Sequence, residues 1–305
     1  MKLAGIIALP DVELGQLPYW RQALRGFSQC AFQANENTAL FFVTAATIYN
    51  WQMGAAYVVS VLVATLVARL LGGIPDLLGL GLYGFNSGLM GLALLNFFVP
   101  SPVLWGLVPV LAAVVAAVTV LMSKKLPFPF LAAPFISVFW IVFPFADALG
   151  LKMVEFSPFS QTRVWFYEAT IAALGATLFA SGLPVGLLFL AGVLVSNWRH
   201  GVVAMMGALL AASLATFVGA KGAAINSGFV GFNAVLGAIA TYAIVAPDLR
   251  LAALAALFST WIFGFFFRHF PAPALASGFV LTVWLILVMG WLNTKFNETQ
   301  PAPQK

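Results

Sequence analysis

Ten long apolar segments run through this chain, and they restrict its fold more than any other feature of the sequence. They lie near 37–50, 54–72, 80–99, 103–123, 129–150, 176–196, 201–219, 228–246, 249–267 and 274–293. A helix that crosses about 30 Å of hydrocarbon needs about 20 apolar residues. Charged residues make up only 8% of the chain, against about 25% in a soluble domain. We therefore predict an all-α polytopic membrane protein with ten transmembrane helices.

An internal repeat divides the chain into two halves. Three motifs recur in the same order: Asn50-Trp51-x-x-Gly54 as Asn197-Trp198-x-x-Gly201, Gly84-Phe85-Asn86-x-x-Leu89 as Gly231-Phe232-Asn233-x-x-Leu236, and Pro127-x-Pro129 as Pro271-x-Pro273. We predict a first repeat at 21–150 and a second at 151–293, with a cytoplasmic amino-terminal segment at 1–20 and a disordered cytoplasmic tail at 294–305. Five spans per half is an odd number, so we expect the halves to enter the membrane from opposite sides, as in many transporters and channels.

The basic residues give an independent test of this topology, because positive charge gathers on the cytoplasmic side of membrane proteins. If both termini are cytoplasmic, ten of the 14 Lys and Arg residues lie on inner segments: Lys2, Arg21, Arg25, Arg69, Lys124, Lys125, Arg199, Arg250, Lys295 and Lys305. The outer segments carry Lys152, Arg163, Lys221 and Arg268. This imbalance supports an inverted repeat with both termini inside.

Two helix-compatible segments are too short or too polar to cross a membrane. They read RQALRGFSQCAFQANEN at 21–37 and RVWFYEATIAA at 163–173, and each precedes the first span of its half. We interpret them as short re-entrant pore helices, which a membrane protein tolerates where they line a cavity. Matching FSQCAF to FYEATI sets Gln29 opposite Glu168, so that both would offer acceptors to one solute. Alternatively, Glu168 lies at the membrane interface and meets water or Arg163.

Asparagines and prolines interrupt the apolar segments in both halves. Asn86 and Asn233 follow a Gly-Phe pair, and such a residue at a helix start is most often a cap for free backbone N–H groups. The prolines of 127–134 and 271–273 break helices and release backbone carbonyls, and a solute is one candidate to bind them. Phe85 with Leu89, and Phe232 with Leu236, would each place an aromatic ring and a leucine on one helix face, and the two sets would form a slot.

The runs GLYGFNSGLMGLAL (81–94), LRGFSQCAF (24–32) and FPFLAAPF (128–135) resemble the urea transporter (urea channel) family, of the bacterial type. The resemblance covers 20–295 and implies a homotrimer with a pore in each protomer. It also implies solute contacts from a set of residues in both halves: Gln29, Cys30, Phe32, Phe85, Leu89, Glu168, Ala169, Phe232 and Leu236. Ala132 and Ala276 stand where the family usually has pore threonines.

This resemblance predicts passive, channel-type transport of urea across the bacterial inner membrane by a multi-pass protein. Two alternatives stay open: a channel for another small neutral solute, such as a short amide, ammonia or water, and an ion-coupled carrier. No motif typical of a membrane enzyme occurs, and one cysteine, Cys30, excludes a cysteine metal cage within a chain. We expect no cofactor, no metal and no nucleic acid, with urea and membrane lipids as partners.

Overall fold

A computed structural model describes residues 13–298, with side chains through Phe296. All regular secondary structure in this range is helical, apart from one isolated β-bridge between Phe98 and Met153. Residues 1–12 of the predicted amino-terminal segment and 299–305 of the predicted tail lie outside the described range. The start of the tail is helical rather than disordered, because the last helix continues to Glu298.

The described range contains fourteen α-helices. Their bounds are α1 Tyr19–Ser28, α2 Glu36–Tyr49, α3 Trp51–Leu70, α4 Pro75–Gly79, α5 Gly84–Phe97, α6 Pro102–Lys125, α7 Ala133–Val142, α8 Phe166–Ala176, α9 Leu183–Ser196, α10 Trp198–Phe217, α11 Gly222–Asn226, α12 Phe232–Ala240, α13 Leu249–His269 and α14 Ser277–Glu298. Short 3₁₀ turns follow α1 and α7, at Gln29–Ala31 and Phe143–Phe145, and a π turn at Thr241–Val245 follows α12.

Five of these helices, namely α3, α6, α10, α13 and α14, are long and apolar enough to cross a membrane. The other five predicted spans correspond to shorter helices. At about 1.5 Å per residue, the 14 residues of α2, α5 and α9 extend only about 21 Å. Four of these five predicted spans were too long because a left-handed residue interrupts each, at Gly81 (φ 78°), Leu131 (φ 49°), Phe179 (φ 57°) and Gly228 (φ 77°), whereas the span at 37–50 has the length of α2.

The same series of elements recurs in the second half. Short helix α1 is followed by α2 to α7, and short helix α8 by α9 to α14. Left-handed backbone recurs at matching places, at Phe32 and Phe179 and at Leu131 and Leu275. Residues that hold the same place in corresponding elements are called equivalent below. The opposite orientation of the halves in a membrane stays a prediction.

The two halves pack on each other through α2 and α9. The rings of Phe42 and Phe189, which are equivalent residues, stack with centroids 4.5 Å apart and planes 2° apart. The Thr38 hydroxyl donates a hydrogen bond to the Gly192 carbonyl at 2.7 Å. Since a Cβ at Gly192 would lie 3.0 Å from the Phe42 ring, glycine allows this close approach. The halves therefore share one apolar core.

A buried ion-pair cluster holds α1 in place. Glu36, the first residue of α2, accepts from Arg21 Nε at 2.8 Å and Arg25 Nε at 3.0 Å. The three side chains are 12%, 6% and 14% exposed, respectively. Arg25 Nη1 also donates to the Gly79 carbonyl at 3.1 Å. Charges this far from water need such partners, so the cluster fixes the polar half-helix inside an otherwise apolar protein.

Candidate solute site

A cavity of about 390 Å³ lies where the first half meets the π turn of the second. Three predicted site residues line it, namely Gln29, Phe32 and Phe85. Its other walls come from the loop between α6 and α7, where Phe130 and Leu131 stand, and from the π turn. The structure thus brings together three of the first-half residues that the sequence selected as solute contacts, whereas Cys30 and Leu89 do not line this cavity.

Gln29 supplies the polar group of this cavity. It begins the 3₁₀ turn after α1 and is 6% exposed. Its amide nitrogen donates to the Leu80 carbonyl at 2.8 Å, which fixes the direction of the side chain. Within residues 13–298 no protein group donates to its side-chain oxygen, so this oxygen is an acceptor that a solute can use.

Phenylalanine rings form the apolar walls. Phe32 adopts the left-handed conformation that ends the 3₁₀ turn (φ 60°), and its ring meets that of Phe279 edge to face at 6.0 Å. Phe85 and Phe130 lie nearly parallel, with centroids 6.3 Å apart and planes 15° apart. Phe130 and Leu131 were not among the residues predicted from the sequence. Their position between two proline-induced breaks, where the chain leaves helical geometry, was the available signal.

Asn86 and Asn233 each cap a helix, but not their own. Asn86 Nδ2 donates to the Leu131 carbonyl at 3.0 Å, and its Oδ1 accepts from Phe135 N in the first turn of α7 at 3.1 Å. Asn233 Nδ2 donates to the Leu275 carbonyl at 2.9 Å, and its Oδ1 accepts from Phe279 N at 2.9 Å. Both asparagines are fully buried. The two asparagines therefore do act as helix caps, but the helices that they cap are α7 and α14 rather than α5 and α12.

The carbonyls next to the proline breaks are occupied by the protein itself. Trp284 Nε1 donates to the Pro129 carbonyl and Trp140 Nε1 to the Pro273 carbonyl, both at 2.8 Å. Because Asn86 and Asn233 hold the carbonyls of Leu131 and Leu275, the hypothesis that these released carbonyls bind a solute is not supported. Ala132 and Ala276 follow the two leucines and are 1% and 5% exposed.

The predicted superposition of Gln29 on Glu168 is wrong. Glu168 is the third residue of α8, the place that Arg21 holds in α1. Gln29 lies three residues before left-handed Phe32, and its equivalent is Ala176, three residues before left-handed Phe179. Glu168 is half-buried in the first turn of α8. It therefore does not share the position of Gln29 in the other half.

Two further predicted contacts point elsewhere. Ala169 is buried in a small apolar cluster with Ala212, Ala215 and Ile225 of α10 and α11. Cys30 is buried, and its thiol donates to the Phe27 carbonyl at 3.3 Å. Neither residue lines the 390 Å³ cavity.

The second half keeps the apolar part of the candidate site. Leu89 and Leu236 are 4% and 3% exposed within the core. Phe232 is half-buried and meets Phe263 edge to face at 5.3 Å. With Ala176 in place of Gln29, this half offers no equivalent side-chain amide. The two halves thus present similar hydrocarbon walls and different polar groups.

An all-helical, multi-pass chain whose cavity combines a directed amide oxygen with aromatic walls belongs to the class of membrane transport proteins. Similarity to known proteins narrows the class. A model of the urea transporter family matches residues 20–290, and the chain belongs to that family. It is 26% identical over 300 residues to urea transporter 1 of Rattus norvegicus, covering 87% of this chain and 76% of the rat protein. It is 25% identical over 296 residues to urea transporter 1 of Mus musculus, covering 88% and 77%.

Membership of this family implies urea transport across a membrane, with urea as the substrate, by a protein that is not an enzyme. The resemblance of the runs at 24–32, 81–94 and 128–135 to this family is thereby confirmed.

Proposed function

We propose that this chain conducts urea passively, as a channel, through a narrow path that passes the cavity of Gln29, Phe32 and Phe85. The observation that carries the proposal is the amide of Gln29. Its nitrogen is bonded to the Leu80 carbonyl, which leaves its oxygen to accept from a solute inside phenylalanine walls. Urea carries N–H donors that must exchange water for such an acceptor in a narrow passage.

The apolar walls account for selectivity in this proposal. Phe85 and Leu89 of the first half, and Phe232 and Leu236 of the second, form a slot that admits a flat neutral molecule. A hydrated ion loses its solvation in an apolar passage, which is costly. The path continues from the first half to the second between equivalent helices, consistent with halves that enter the membrane from opposite sides.

Further parts of the proposal rest on the family resemblance and on the charge distribution. The protein forms a homotrimer with one pore in each protomer. Both termini are cytoplasmic, and the membrane is the inner membrane of a bacterium. Lys and Arg gather on the segments assigned to the cytoplasmic side.

Urea entry into proteoliposomes, followed by stopped-flow light scattering, tests the proposal. The wild-type protein should speed urea entry without any ion gradient, and Phe85→Asp or Phe232→Asp should abolish this by placing a charge in the slot. Met153→Asp, at an exposed loop position, is the matched control and should conduct normally. Proteoliposomes no more permeable to urea than empty ones would overturn the proposal.

The same assay separates the rival functions. A second small neutral solute is favoured by one observation: only the first half keeps a side-chain amide, so the passage is less polar than a symmetric one. A panel of urea, short amides, ammonia and water, compared at equal gradients, decides this. Transport that needs a sodium or proton gradient, and that saturates at low solute concentration, would identify an ion-coupled carrier instead.

Substitutions at Gln29 and at its equivalent residue, Ala176, test the role of the amide in conduction. Gln29→Ala should lower urea flux about fivefold, the effect of one hydrogen bond of about 1 kcal/mol on a rate. Ala176→Gln places an amide at the equivalent position and should leave flux unchanged or raise it. An unchanged flux in Gln29→Ala would remove this residue from the conduction path while leaving the slot intact.

A further inference from the structure

The space around Tyr83 in the first half has an unfilled counterpart in the second half. Tyr83 is 1% exposed, and its hydroxyl accepts from Ile74 N at 3.0 Å and pairs with Ser123 Oγ at 3.0 Å. Its ring lies against Gly73, where a Cβ would come within 3.0 Å of it. The ring therefore closes the gap between the end of α3, the turn before α4, and α6.

Val230 stands in place of Tyr83, since each directly precedes the Gly-Phe-Asn motif of its half. A groove of about 730 Å³ lies between α10, α11 and α13, with the smaller Val230 in its wall. Equivalents of the Tyr83 surroundings line this groove, namely Ala215, Ala220, Lys221 and Phe267. The groove thus opens at the place where the first half packs the Tyr83 ring, and it extends beyond the volume of that ring.

Two unpaired cations stand at one end of this groove. Lys221 and Arg268 both line it and are exposed, and neither has an ion-pair partner within residues 13–298. No acidic side chain is among the residues that form its walls. Trp261, two turns back along α13, lines its apolar part and is 66% exposed. A groove with positive charge at one end and apolar walls along its length matches a lipid, which has a charged headgroup and hydrocarbon chains.

We propose that this groove binds an anionic phospholipid. One acyl chain lies between α10 and α13 against Val230 and Phe229, and the phosphate of the headgroup meets Lys221 and Arg268. Cations at a membrane surface attract anionic headgroups, here on the side that the predicted topology makes the outer one, and the exposed aromatic residues of α13 place the groove on a surface that faces lipid.

The groove lies one aromatic ring away from a proposed pore residue. Phe263 lines the groove and contacts Phe229 at 5.2 Å on one side and Phe232 at 5.3 Å on the other. An acyl chain packed on Phe229 and Phe263 therefore supports the ring behind Phe232. The binding itself does not depend on the proposed function and is measured without transport.

Native mass spectrometry of the purified full-length protein tests the proposal, with phosphatidylglycerol and phosphatidylcholine of matched acyl chains as probes. Phosphatidylglycerol should bind more tightly than phosphatidylcholine. The double variant Lys221→Gln with Arg268→Gln should weaken phosphatidylglycerol binding about tenfold, since each cation near a membrane surface contributes to anion attraction. The matched double variant Lys152→Gln with Arg163→Gln removes two cations outside the groove and should bind normally.

A second variant tests the apolar part. Val230→Tyr gives the second half the ring that fills this space in the first, and should weaken binding of both lipids. If this variant fails to fold, the charge variant decides alone. Equal binding of both lipids together with an unaffected charge variant would overturn the proposal. A cross-linking experiment gives a further test. The variant Phe265→Cys places a reactive thiol at the groove, in a chain whose one native cysteine is buried. A cross-link between two copies of this variant would also overturn the proposal, because a protein partner would then cover the groove.

Discussion

The two halves hold their short helices, α1 and α8, by different means. In the first half, charged and amide side chains do so, and the equivalent positions of the second half are mostly small or apolar. The equivalent pairs are Arg21 and Glu168, Gln22 and Ala169, Arg25 and Ala172, Glu36 and Leu183, and Arg69 and Thr216. Yet the order of the surrounding helices agrees, and α2 and α3 have the same lengths as α9 and α10. The comparison teaches that the backbone arrangement does not require the polar network.

Close packing replaces that network in the second half. Ala169 lies in an apolar cluster with Ala212 and Ala215 of α10. A Cβ at Gly186 of α9 would overlap the Ile171 carbonyl of α8, so only glycine allows these helices to lie so close. Within membranes, small residues at helix interfaces serve this purpose. The first half thus combines charge with packing, whereas the second relies on packing.

A large effect is expected when one position of the first half receives the residue that the second half has there. Glu36→Leu leaves Arg21 and Arg25 buried without their carboxylate, and we expect a loss of about 3–5 kcal/mol in the free energy of unfolding. Replacing the cluster as a whole, with Arg21→Leu, Arg25→Ala and Glu36→Leu together, should recover most of this loss. Unfolding of the protein in mixed micelles by titration with SDS measures both.

Glu155→Leu is the control for this experiment, since Glu155 is exposed and forms no ion pair within residues 13–298. It should change the free energy of unfolding little. If the triple variant were less stable than Glu36→Leu alone, the polar network would be indispensable, and the second half would have to hold α8 by something other than packing.

The symmetric asparagines offer a test where the halves should behave alike. Asn86→Leu orphans the Leu131 carbonyl and the Phe135 N–H, and Asn233→Leu does the same in the second half. Each buried, unpaired group costs about 1–3 kcal/mol, so we expect each variant, which orphans two groups, to lose about 2–6 kcal/mol, measured by the same SDS titration. The two losses should agree within about 1 kcal/mol.

Asn96→Leu provides the control on α5, because the Asn96 side chain makes no hydrogen bond among the described residues. A loss confined to one half would show that equivalent bonds carry unequal weight, and would extend the contrast between the halves from α1 and α8 to the helices that follow.

The repeat and the helices were predictable from the sequence, but the positions of the polar contacts were not. Apolar segments located every long helix, and the Gly-Phe-Asn motifs located the equivalents Phe85 and Phe232. The sequences around Gln29 and Glu168 are similar, and this similarity led to the wrong superposition. The Asn-Trp and Gly-Phe-Asn motifs of the two halves are separated by the same number of residues, and this separation pairs Gln29 with Ala176. The groove beside Val230 was not predicted from the sequence, because it depends on how residues of α10, α11 and α13 pack around the position that Tyr83 holds in the first half.

The smallest expected effect concerns the reciprocal tryptophans. Trp140 and Trp284 each donate to a proline carbonyl of the other half at 2.8 Å, so Trp140→Phe and Trp284→Phe each remove one hydrogen bond between the halves. We expect losses of about 0.5–1.5 kcal/mol in the SDS titration. Trp140→Phe should lose slightly more, because its ring packs against two others, Phe266 and Phe270, with centroids 5.9 and 4.5 Å away, whereas Trp284 packs against one, Phe128, at 5.2 Å.

Trp291→Phe, at an indole that is 60% exposed, sets the baseline for this pair. Losses that match the baseline would mean that the remaining contacts between the halves, such as that of α2 with α9, hold them without these two bonds. Losses above it in both variants would mean that directed bonds hold the halves symmetrically, even though charge holds only one of the two short helices. The symmetry of the fold would then reside in the contacts between halves, and its asymmetry in the contacts within them.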